Sequence, residues 1–184
     1  MIEIKINEDL INLTEKYAIQ QDIGGYSNLA TIDLAKATRL DYQYTALYGE
    51  GAWYLYRYQS LEKLGKLLDY KFETLRPTRK GDDGYDDKII HNSKTRLVDV
   101  KTSHVTDEKK IPRLNLVIPE REFHKDMIYV CAFSIGKTRR EIEKVILAGW
   151  CANEYVTKRW PYDPNKYCVP VEDLRNLDIL KKIL

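Results

Sequence analysis

The sequence predicts one α+β domain of mixed α/β composition. Its first third carries helical periodicity, and most of the remainder consists of short apolar runs separated by turn residues. The chain has 184 residues, of which 43% are hydrophobic, enough to fill one core without disulfides. No internal repeat and no linker rich in proline or glycine divides it. We therefore expect one unit in which helices precede and flank a mixed β-sheet.

The helical pattern predicts three helices in the first part of the chain. Residues 7–21 carry apolar side chains at helical spacing, with Asn7 as the N-cap and the glycine pair that begins at Gly24 as the stop. A shorter helix is expected over residues 28–40. A long helix is expected over residues 44–69, with its leucines facing a core.

Short apolar runs bounded by turn residues predict strands after Tyr70. A polar segment of hairpin length, residues 91–94, separates the second and third of these runs and predicts a β-hairpin. Residues 153–158 suggest a short helix, and residues 171–184 suggest a tail that is partly helical. The predicted strands cover residues 71–75, 85–90, 96–102, 114–118, 127–134, 143–151 and 167–169.

Two acids and a lysine stand out on the predicted hairpin. Residues two apart in a strand point to the same face, so Asp99 and Lys101 project together. Pairing through the hairpin can bring Asp86 beside Asp99. Two converging carboxylates form a hard-oxygen site for Mg²⁺ or Mn²⁺, and the carbonyl of Val100 is a further candidate ligand. We therefore predict a metal site at this point.

Such a site suits the hydrolysis of phosphodiester bonds. A metal ion lowers the pKa of a bound water and neutralises the charge that develops on the phosphate. A lysine beside the metal can orient the attacking water and stabilise the transition state. The sequence therefore predicts a hydrolytic site whose catalytic residues are Asp86, Asp99 and Lys101.

The acid-x-lysine triplet alone is weak support, because it also occurs at residues 3–5, 86–88 and 107–109. The triplet at residues 99–101 differs in lying within a β-branched apolar run, one hairpin after an acidic strand start that is flanked by glycine. The alternative is an ordinary ion pair between Asp99 and Lys101 on a solvated strand face. Acids are uncommon inside strands, which favours the site.

A Gly-x-Asp motif at residues 84–86, a hairpin, and then Val-Asp-Val-Lys-Thr at residues 98–102 resemble the PD-(D/E)XK nuclease superfamily. The resemblance implies a restriction-endonuclease-like core, a central mixed sheet flanked by helices, over residues 44–151. Residues 1–43 would be an N-terminal helical extension, and residues 152–184 a C-terminal one. It also implies a Mg²⁺-dependent nuclease that acts on DNA.

The resemblance further implicates Glu50, because family members often carry an additional acid on the helix before the first strand. Glu50 would join the catalytic residues and the metal ligands, and the alternative is a carboxylate on the helix surface. The sequence departs from the family pattern in having no proline before the first acid. That departure leaves Asp83 as a competitor to Asp86, which we prefer because it starts the apolar strand.

Basic residues predict contacts with a DNA substrate. Cationic loops around a carboxylate site would hold a polyanion that the acids repel. We select Lys137, Arg139 and Arg140 as nucleic-acid-binding residues, with Thr102 just beyond the motif as a fourth. Ordinary solvated loops are the alternative for all four. Other basic clusters lie at residues 76–80, 109–113 and 158–160.

Several other functional classes are disfavoured by the sequence. Its three cysteines form no CxxC pair and its histidines are isolated, which argues against zinc sites, iron–sulfur clusters and Cys–His hydrolases. No Walker A loop or Rossmann fingerprint is present. The apolar runs are far shorter than the roughly 20 residues of a membrane helix, and residues 1–6 do not resemble a secretory signal. We expect an intracellular, cytoplasmic protein with no membrane partner.

The leading hypothesis is a Mg²⁺-dependent deoxyribonuclease that acts in the repair, recombination or degradation of viral or mobile-element DNA. A Holliday-junction resolvase is one alternative. A catalytically inactive nucleic-acid-binding protein of the same fold is another, and an unrelated α+β interaction module is a third. A homodimer would supply the two sites that symmetric double-strand cuts require. The sequence leaves the form of the substrate and any sequence preference open.

Overall fold

The computed structural model describes residues 1–24, 36–75, 85–91 and 93–181. Within these ranges the chain forms helices and two β-sheets, which confirms the predicted α+β class. The helices are α1 (Glu8–Gly24), α2 (Lys36–Tyr58), α3 (Glu62–Leu75) and α4 (Leu177–Lys181). The strands are β1 (Ile2–Lys5), β2 (Asp87–His91), β3 (Lys94–Val105), β4 (Asn115–Pro119), β5 (Met127–Gly136), β6 (Ile142–Ala152), β7 (Lys158–Trp160) and β8 (Asp163–Pro170).

The main sheet has five strands in the order β1-β6-β5-β3-β2. It is mixed, as predicted, because β3 and β5 run parallel whereas its other neighbouring strands run antiparallel. A second, antiparallel sheet of three strands has the order β4-β8-β7. The site motif therefore lies on a strand, β3, that has an antiparallel partner on one side and a parallel partner on the other.

Each face of the main sheet belongs to a different core. On one face, Val98 and Val100 of β3 pack with buried side chains of α1, α2 and α3. On the other face, Tyr129 and Phe133 of β5 pack with residues of the small sheet. β5 is buried at every position, so its sequence is a continuous apolar run, as expected for a strand covered on both sides.

The start of α1 is as predicted. Asn7 Oδ1 accepts a hydrogen bond from the amide of Leu10 at 2.9 Å, which is the N-cap contact expected of that residue. The helix runs to Gly24, and the second glycine of the predicted stop lies outside the described residues. Most of the helix predicted over residues 28–40 also lies outside them, and its described end, residues 36–40, is the beginning of α2.

The single long helix predicted over residues 44–69 is wrong, because the chain forms α2 and α3 with a break between them. Gln59 adopts the left-handed backbone conformation, with a φ of 54°. A left-handed residue cannot continue a right-handed helix. Ser60 Oγ then accepts a hydrogen bond from the amide of Glu62 at 3.1 Å and caps the start of α3.

The strand predicted over residues 71–75 is also wrong, since these residues complete α3. Leu64 and Leu68 lie one helical turn apart and are both buried, so their spacing supports a helix. Residues 71–75 follow without glycine or proline, and extending an existing helix is far easier than starting a new element. A short apolar run of this kind does not by itself distinguish a strand from a helix.

The remaining predicted strands are confirmed with their ends displaced by a few residues, and the predicted hairpin joins β2 to β3. Ser93 in its turn has a φ of 57°. The helix predicted over residues 153–158 is instead a single 3-10 turn, Asn153–Tyr155, followed by β7. The predicted helical tail contains α4. Strands β1 and β7, which we did not predict, are short and lie at the edges of their sheets.

Both ends of the described chain are built into the sheets. β1 pairs with β6, so the segment expected as a helical extension begins in the main sheet, and the boundary expected at residue 44 falls inside α2. β8 pairs with β4, and Trp150 forms a β-bridge with Arg175. The segment expected as a C-terminal extension is therefore packed on the core. None of the described helices is both long and apolar enough to cross a lipid bilayer.

Candidate active site

The main sheet has a notch where β2 ends and β3 continues. Asp87 pairs with Val98 at the start of β2, whereas β3 extends to Val105. Beyond this pair, a cavity of about 1090 Å³ opens beside β3. Its walls come from α2, β3, β8, and the segment from β4 through the turn that follows it. The cavity is lined by the acids and lysine predicted from the sequence, Asp86, Asp99 and Lys101.

Asp86 is fixed at the start of β2 by three hydrogen bonds. Its amide donates to the carbonyl of Val98 at 2.7 Å, and its own carbonyl accepts from the hydroxyl of Tyr54 at 2.7 Å. Its carboxylate Oδ2 accepts from the amide of Val100 at 2.7 Å. Because Val100 lies between Asp99 and Lys101, this last bond ties the Asp86 carboxylate to the centre of the motif.

Asp99 and Lys101 lie on the same face of β3, as the two-residue period of a strand predicts. Lys101 Nζ lies 2.7 Å from Asp99 Oδ2. Burial raises the pKa of the Asp99 carboxyl to about 7, against the lowering effect of Lys101, and the nearby charge of Asp86 raises it further. The two acids therefore lie close enough for the charge of Asp86 to oppose the ionisation of Asp99.

The alternative of an ordinary solvated ion pair does not describe this contact. The side chains of Lys101 and Asp99 are only 22% and 10% exposed. Surface ion pairs are screened by water and contribute little, whereas burial makes an unbalanced carboxylate costly. Asp99 and Lys101 do form an ion pair, but the pair is largely buried and Asp99 lies near a second acid, Asp86.

Glu122 is a further acid at the site that sequence reasoning missed. Its Oε2 lies 2.7 Å from Lys101 Nζ, so the ammonium group lies between two carboxylates. Glu122 belongs to the 3-10 turn Glu120–Glu122 that follows β4. It lies 21 residues after Lys101, and no spacing in the sequence connects the two. Only the tertiary fold brings them together.

Glu50, on α2, lines the cavity. Its position depends on the close approach of α2 to β3. At the preceding residue, Gly49, a Cβ atom would lie 1.8 Å from Thr102 Oγ1. No side chain larger than hydrogen fits there without displacement, so Gly49 allows α2 to contact β3. Glu50 is then partly buried at the cavity wall.

Thr102 lines the cavity, but its hydroxyl oxygen lies against Gly49. That oxygen is buried and has no hydrogen-bond partner among the described residues. A phosphate contact from Thr102, as predicted, would therefore require its side chain to rotate. In the structure as it stands, Thr102 contributes to the packing of α2 on β3.

Arg139, one of the three predicted basic residues, contacts cavity-lining residues. Its Nη1 donates to Thr45 Oγ1 at 3.2 Å, and its guanidinium lies 4.4 Å from the ring centre of Tyr42. Arg140 instead forms an ion pair with Asp41, at 2.7 Å. Lys137, in the same turn, is exposed. Asp83 and the basic cluster at residues 76–80 lie outside the described residues.

Asp87, the neighbour of Asp86, has a different environment. It is buried against α2, where Asp87 Oδ2 accepts a hydrogen bond from Trp53 Nε1 at 2.9 Å and Oδ1 accepts from the Tyr58 hydroxyl at 3.0 Å. Arg57 forms an ion pair with the same carboxylate. Asp87 thus joins β2 to α2 and is satisfied by protein donors.

The charges around the cavity favour a cation. Among the described residues that line it, five are acidic and three are basic. No three Asp, Glu, His or Cys side chains within the described ranges converge into a closed metal cage. Mg²⁺ does not need one, because it is commonly held by one or two carboxylates and completes its shell with water and phosphate oxygens. The donor set of Asp86 and Asp99 fits that requirement.

The cavity contains two adjacent carboxylates and a lysine that is paired with acids. Cationic residues lie at or near its wall, namely Arg121, Lys166 and Arg139. These groups suit the binding of a cation together with an anionic substrate. No family model, no curated protein and no solved structure matches the chain.

Proposed function

We propose that this chain is a metal-dependent nuclease of the PD-(D/E)XK type that hydrolyses phosphodiester bonds in DNA. The observation that carries the proposal is the convergence of Asp86, Asp99 and Lys101 in the cavity at the end of β2. The motif order read from the sequence and the mixed sheet are consistent with that family. The function follows from the chemistry that these three groups can perform together.

Asp86 and Asp99 would hold a Mg²⁺ or Mn²⁺ ion, with Glu50 and the carbonyl of Val100 as further candidate ligands. When bound, such an ion lowers the pKa of a coordinated water and offsets negative charge on a phosphate. Asp86 is well suited to this role, since its position is fixed by hydrogen bonds to two residues of β3. Asp99 is buried at a cost that a cation would reduce.

Lys101 would act as a donor rather than as a base. Burial tends to lower its pKa, but the carboxylates of Asp99 and Glu122 raise it, and the net direction is upward. Its ammonium group therefore stays protonated at neutral pH. A protonated lysine can donate a hydrogen bond to the attacking water or to a phosphate oxygen and stabilise negative charge in the transition state.

DNA would be held by the cations at the cavity. Arg121 and Lys166 line it from two different elements, and Arg139 contacts its α2 wall. Positive charge around an acidic centre attracts the phosphate backbone that the acids alone would repel. Phosphate contacts of this kind support affinity but give little sequence preference.

The test is a cleavage assay on linear, circular, single-stranded and four-way-junction DNA, with Mg²⁺, Mn²⁺ or EDTA. We expect metal-dependent cutting that falls by roughly 100- to 1000-fold in Asp99→Asn and in Lys101→Ala. Asp126→Asn is the matched control, because Asp126 is exposed and its φ of 63° is one that asparagine tolerates.

Three results would contradict the proposal. Cutting that persists in EDTA, or that survives both substitutions, would place the activity elsewhere. DNA binding without cleavage of any substrate would instead support the inactive nucleic-acid-binding alternative. Among positive results, selective cutting of the four-way junction would identify a resolvase.

A further inference from the structure

The ammonium group of Lys101 is held on two sides. An ammonium group has three N–H donors. Two contacts of 2.7 Å join Lys101 Nζ to Asp99 Oδ2 and to Glu122 Oε2. Within the described part of the chain these carboxylates are the ion-pair partners of Lys101, and the lysine lines the cavity. Because two of the three N–H groups of Lys101 point at carboxylates, the direction of the third is defined.

Glu122 is itself held by a buried tyrosine. The hydroxyl of Tyr129 donates to the carbonyl of Glu122 at 3.0 Å and accepts from the amide of His124 at 3.0 Å. Tyr129 is fully buried on β5, where it lies opposite Asp99 in the parallel register. The turn that carries Glu122 is therefore attached to the strand next to the one that carries Asp99.

The charge of Glu122 is maintained by its neighbours. Burial alone would raise its pKa, but Lys101 and Arg121 lower it, and the net direction is downward. Its side chain is 23% exposed, so this is not a freely solvated surface pair. A restrained, ionised carboxylate is a group that can fix the position of an ammonium partner.

We infer that Glu122 is a positioning residue for Lys101, directing its remaining N–H toward the water or phosphate oxygen that reacts in the cavity. The inferred effect on catalysis rests on the proposed nuclease function, whereas the contact between Glu122 and Lys101 does not. Glu122 acts through Lys101 and does not itself touch the substrate. Tyr129 serves the same end by holding the Glu122 turn.

The first test is independent of activity. NMR of the lysine ammonium groups in the metal-free, ¹⁵N-labelled protein should show a rigid Lys101 signal whose protons exchange slowly with water. We expect Glu122→Gln to lose that signal. The matched control is Glu108→Gln, because Glu108 also lies in a 3-10 turn and pairs with a lysine, Lys144, at 2.6 Å. It should leave the Lys101 signal unchanged.

The second test separates turnover from binding. We expect Glu122→Gln to lower kcat by roughly 10- to 100-fold, as removal of a supporting partner commonly does. KM for DNA should stay within about twofold, because the residue does not contact the substrate. Glu122→Asp keeps the charge and should recover part of kcat. If Glu122→Gln fails to fold, the NMR and kinetic measurements are made on Glu122→Asp. In that variant we expect a weakened Lys101 signal.

The outcomes separate this inference from the proposed function. A Lys101 signal that is mobile in the wild type, or unchanged in Glu122→Gln, overturns the inference even if the protein cuts DNA. A rigid signal that is lost in Glu122→Gln supports positioning even if no substrate is cut, in which case the nuclease proposal fails alone. An unchanged kcat in Glu122→Gln overturns the inferred effect on catalysis.

Discussion

Asp86 and Asp87 are adjacent in sequence and both are buried, yet they lie in opposite kinds of environment. Asp87 is surrounded by donors from α2, namely Trp53, Arg57 and Tyr58. Asp86 turns into the cavity, where its charge acts on that of Asp99. Two neighbouring carboxylates at the same strand start therefore serve stability in one case and, we propose, catalysis in the other.

The difference shows that burial alone does not define the environment of a carboxylate. A buried carboxylate whose hydrogen-bond and charge requirements are met by its surroundings is a structural group. In the cavity, the charges of Asp86 and Glu122 both act on Asp99, and the carboxylates of Asp99 and Glu122 share the ammonium group of Lys101. A cation would offset the repulsion at Asp99, whereas Asp87 already has an ion-pair partner in Arg57.

The largest expected effect on stability is at the balanced cluster. We expect Asp87→Asn to lower the free energy of unfolding by about 3–5 kcal/mol, because it leaves the largely buried Arg57 without its carboxylate partner. Urea unfolding followed by circular dichroism measures this change, with Asp126→Asn as control. A loss below about 1 kcal/mol would mean that the cluster is not the structural support described here.

At the cavity, by contrast, we expect a substitution of Asp99 to raise the free energy of unfolding. The pKa of Asp99 is raised to about 7 from an ordinary 3.8, so the folded state holds its proton more tightly than the unfolded chain. The stability this group contributes is complete below about pH 4 and is lost as the pH rises through 7. In EDTA at pH 8, Asp99→Asn should therefore exceed the wild type in unfolding free energy by about 1–3 kcal/mol.

Urea titrations at pH 5 and pH 8 test this expectation. The wild type should lose stability relative to Asp99→Asn between the two values, and Mg²⁺ should restore stability at pH 8 in the wild type more than in the variant. A variant that is less stable than the wild type at pH 8 would show that Asp99 is a balanced structural acid like Asp87.

A smaller effect is expected where α2 meets β3. Gly49→Ala places a Cβ against Thr102 and should destabilise the fold by about 1–3 kcal/mol. Gly65→Ala is the matched control, because no atom lies within 4 Å of its added Cβ and alanine favours a helix interior. Thermal unfolding should also show recovery in the double variant Gly49→Ala/Thr102→Ala. Equal effects at both glycines would contradict the close approach that positions Glu50.

The smallest effect is expected at Arg139, near the cavity wall. Arg139→Ala should weaken DNA binding by a few fold and reduce the slope of log affinity against log salt by about 1. Lys94→Ala is the control, since Lys94 is exposed at the opposite end of the hairpin. Fluorescence anisotropy at several salt concentrations gives both values. An unchanged salt slope in Arg139→Ala would remove this residue from the DNA surface.

The parts of the site that depend on local periodicity could be predicted from the sequence. The two-residue period of a strand placed Asp99 and Lys101 on one face, and hairpin length brought Asp86 to them. Glu122 could not be predicted, because it reaches Lys101 only through the parallel pairing of β3 with β5 and the contacts of Tyr129. The break at Gln59 was missed since a non-glycine residue with positive φ leaves no local signal.

The two partners of β3 also set an order of assembly. β2 is joined to β3 by a short hairpin turn, whereas β5 follows only after β4 and the Glu120–Glu122 turn. Contacts near in sequence form first, because closing a short loop loses less chain entropy. During folding, Asp86 would therefore meet Asp99 early, and Glu122 would reach Lys101 late. Substitutions in the hairpin should then slow refolding, whereas those at Glu122 should chiefly speed unfolding.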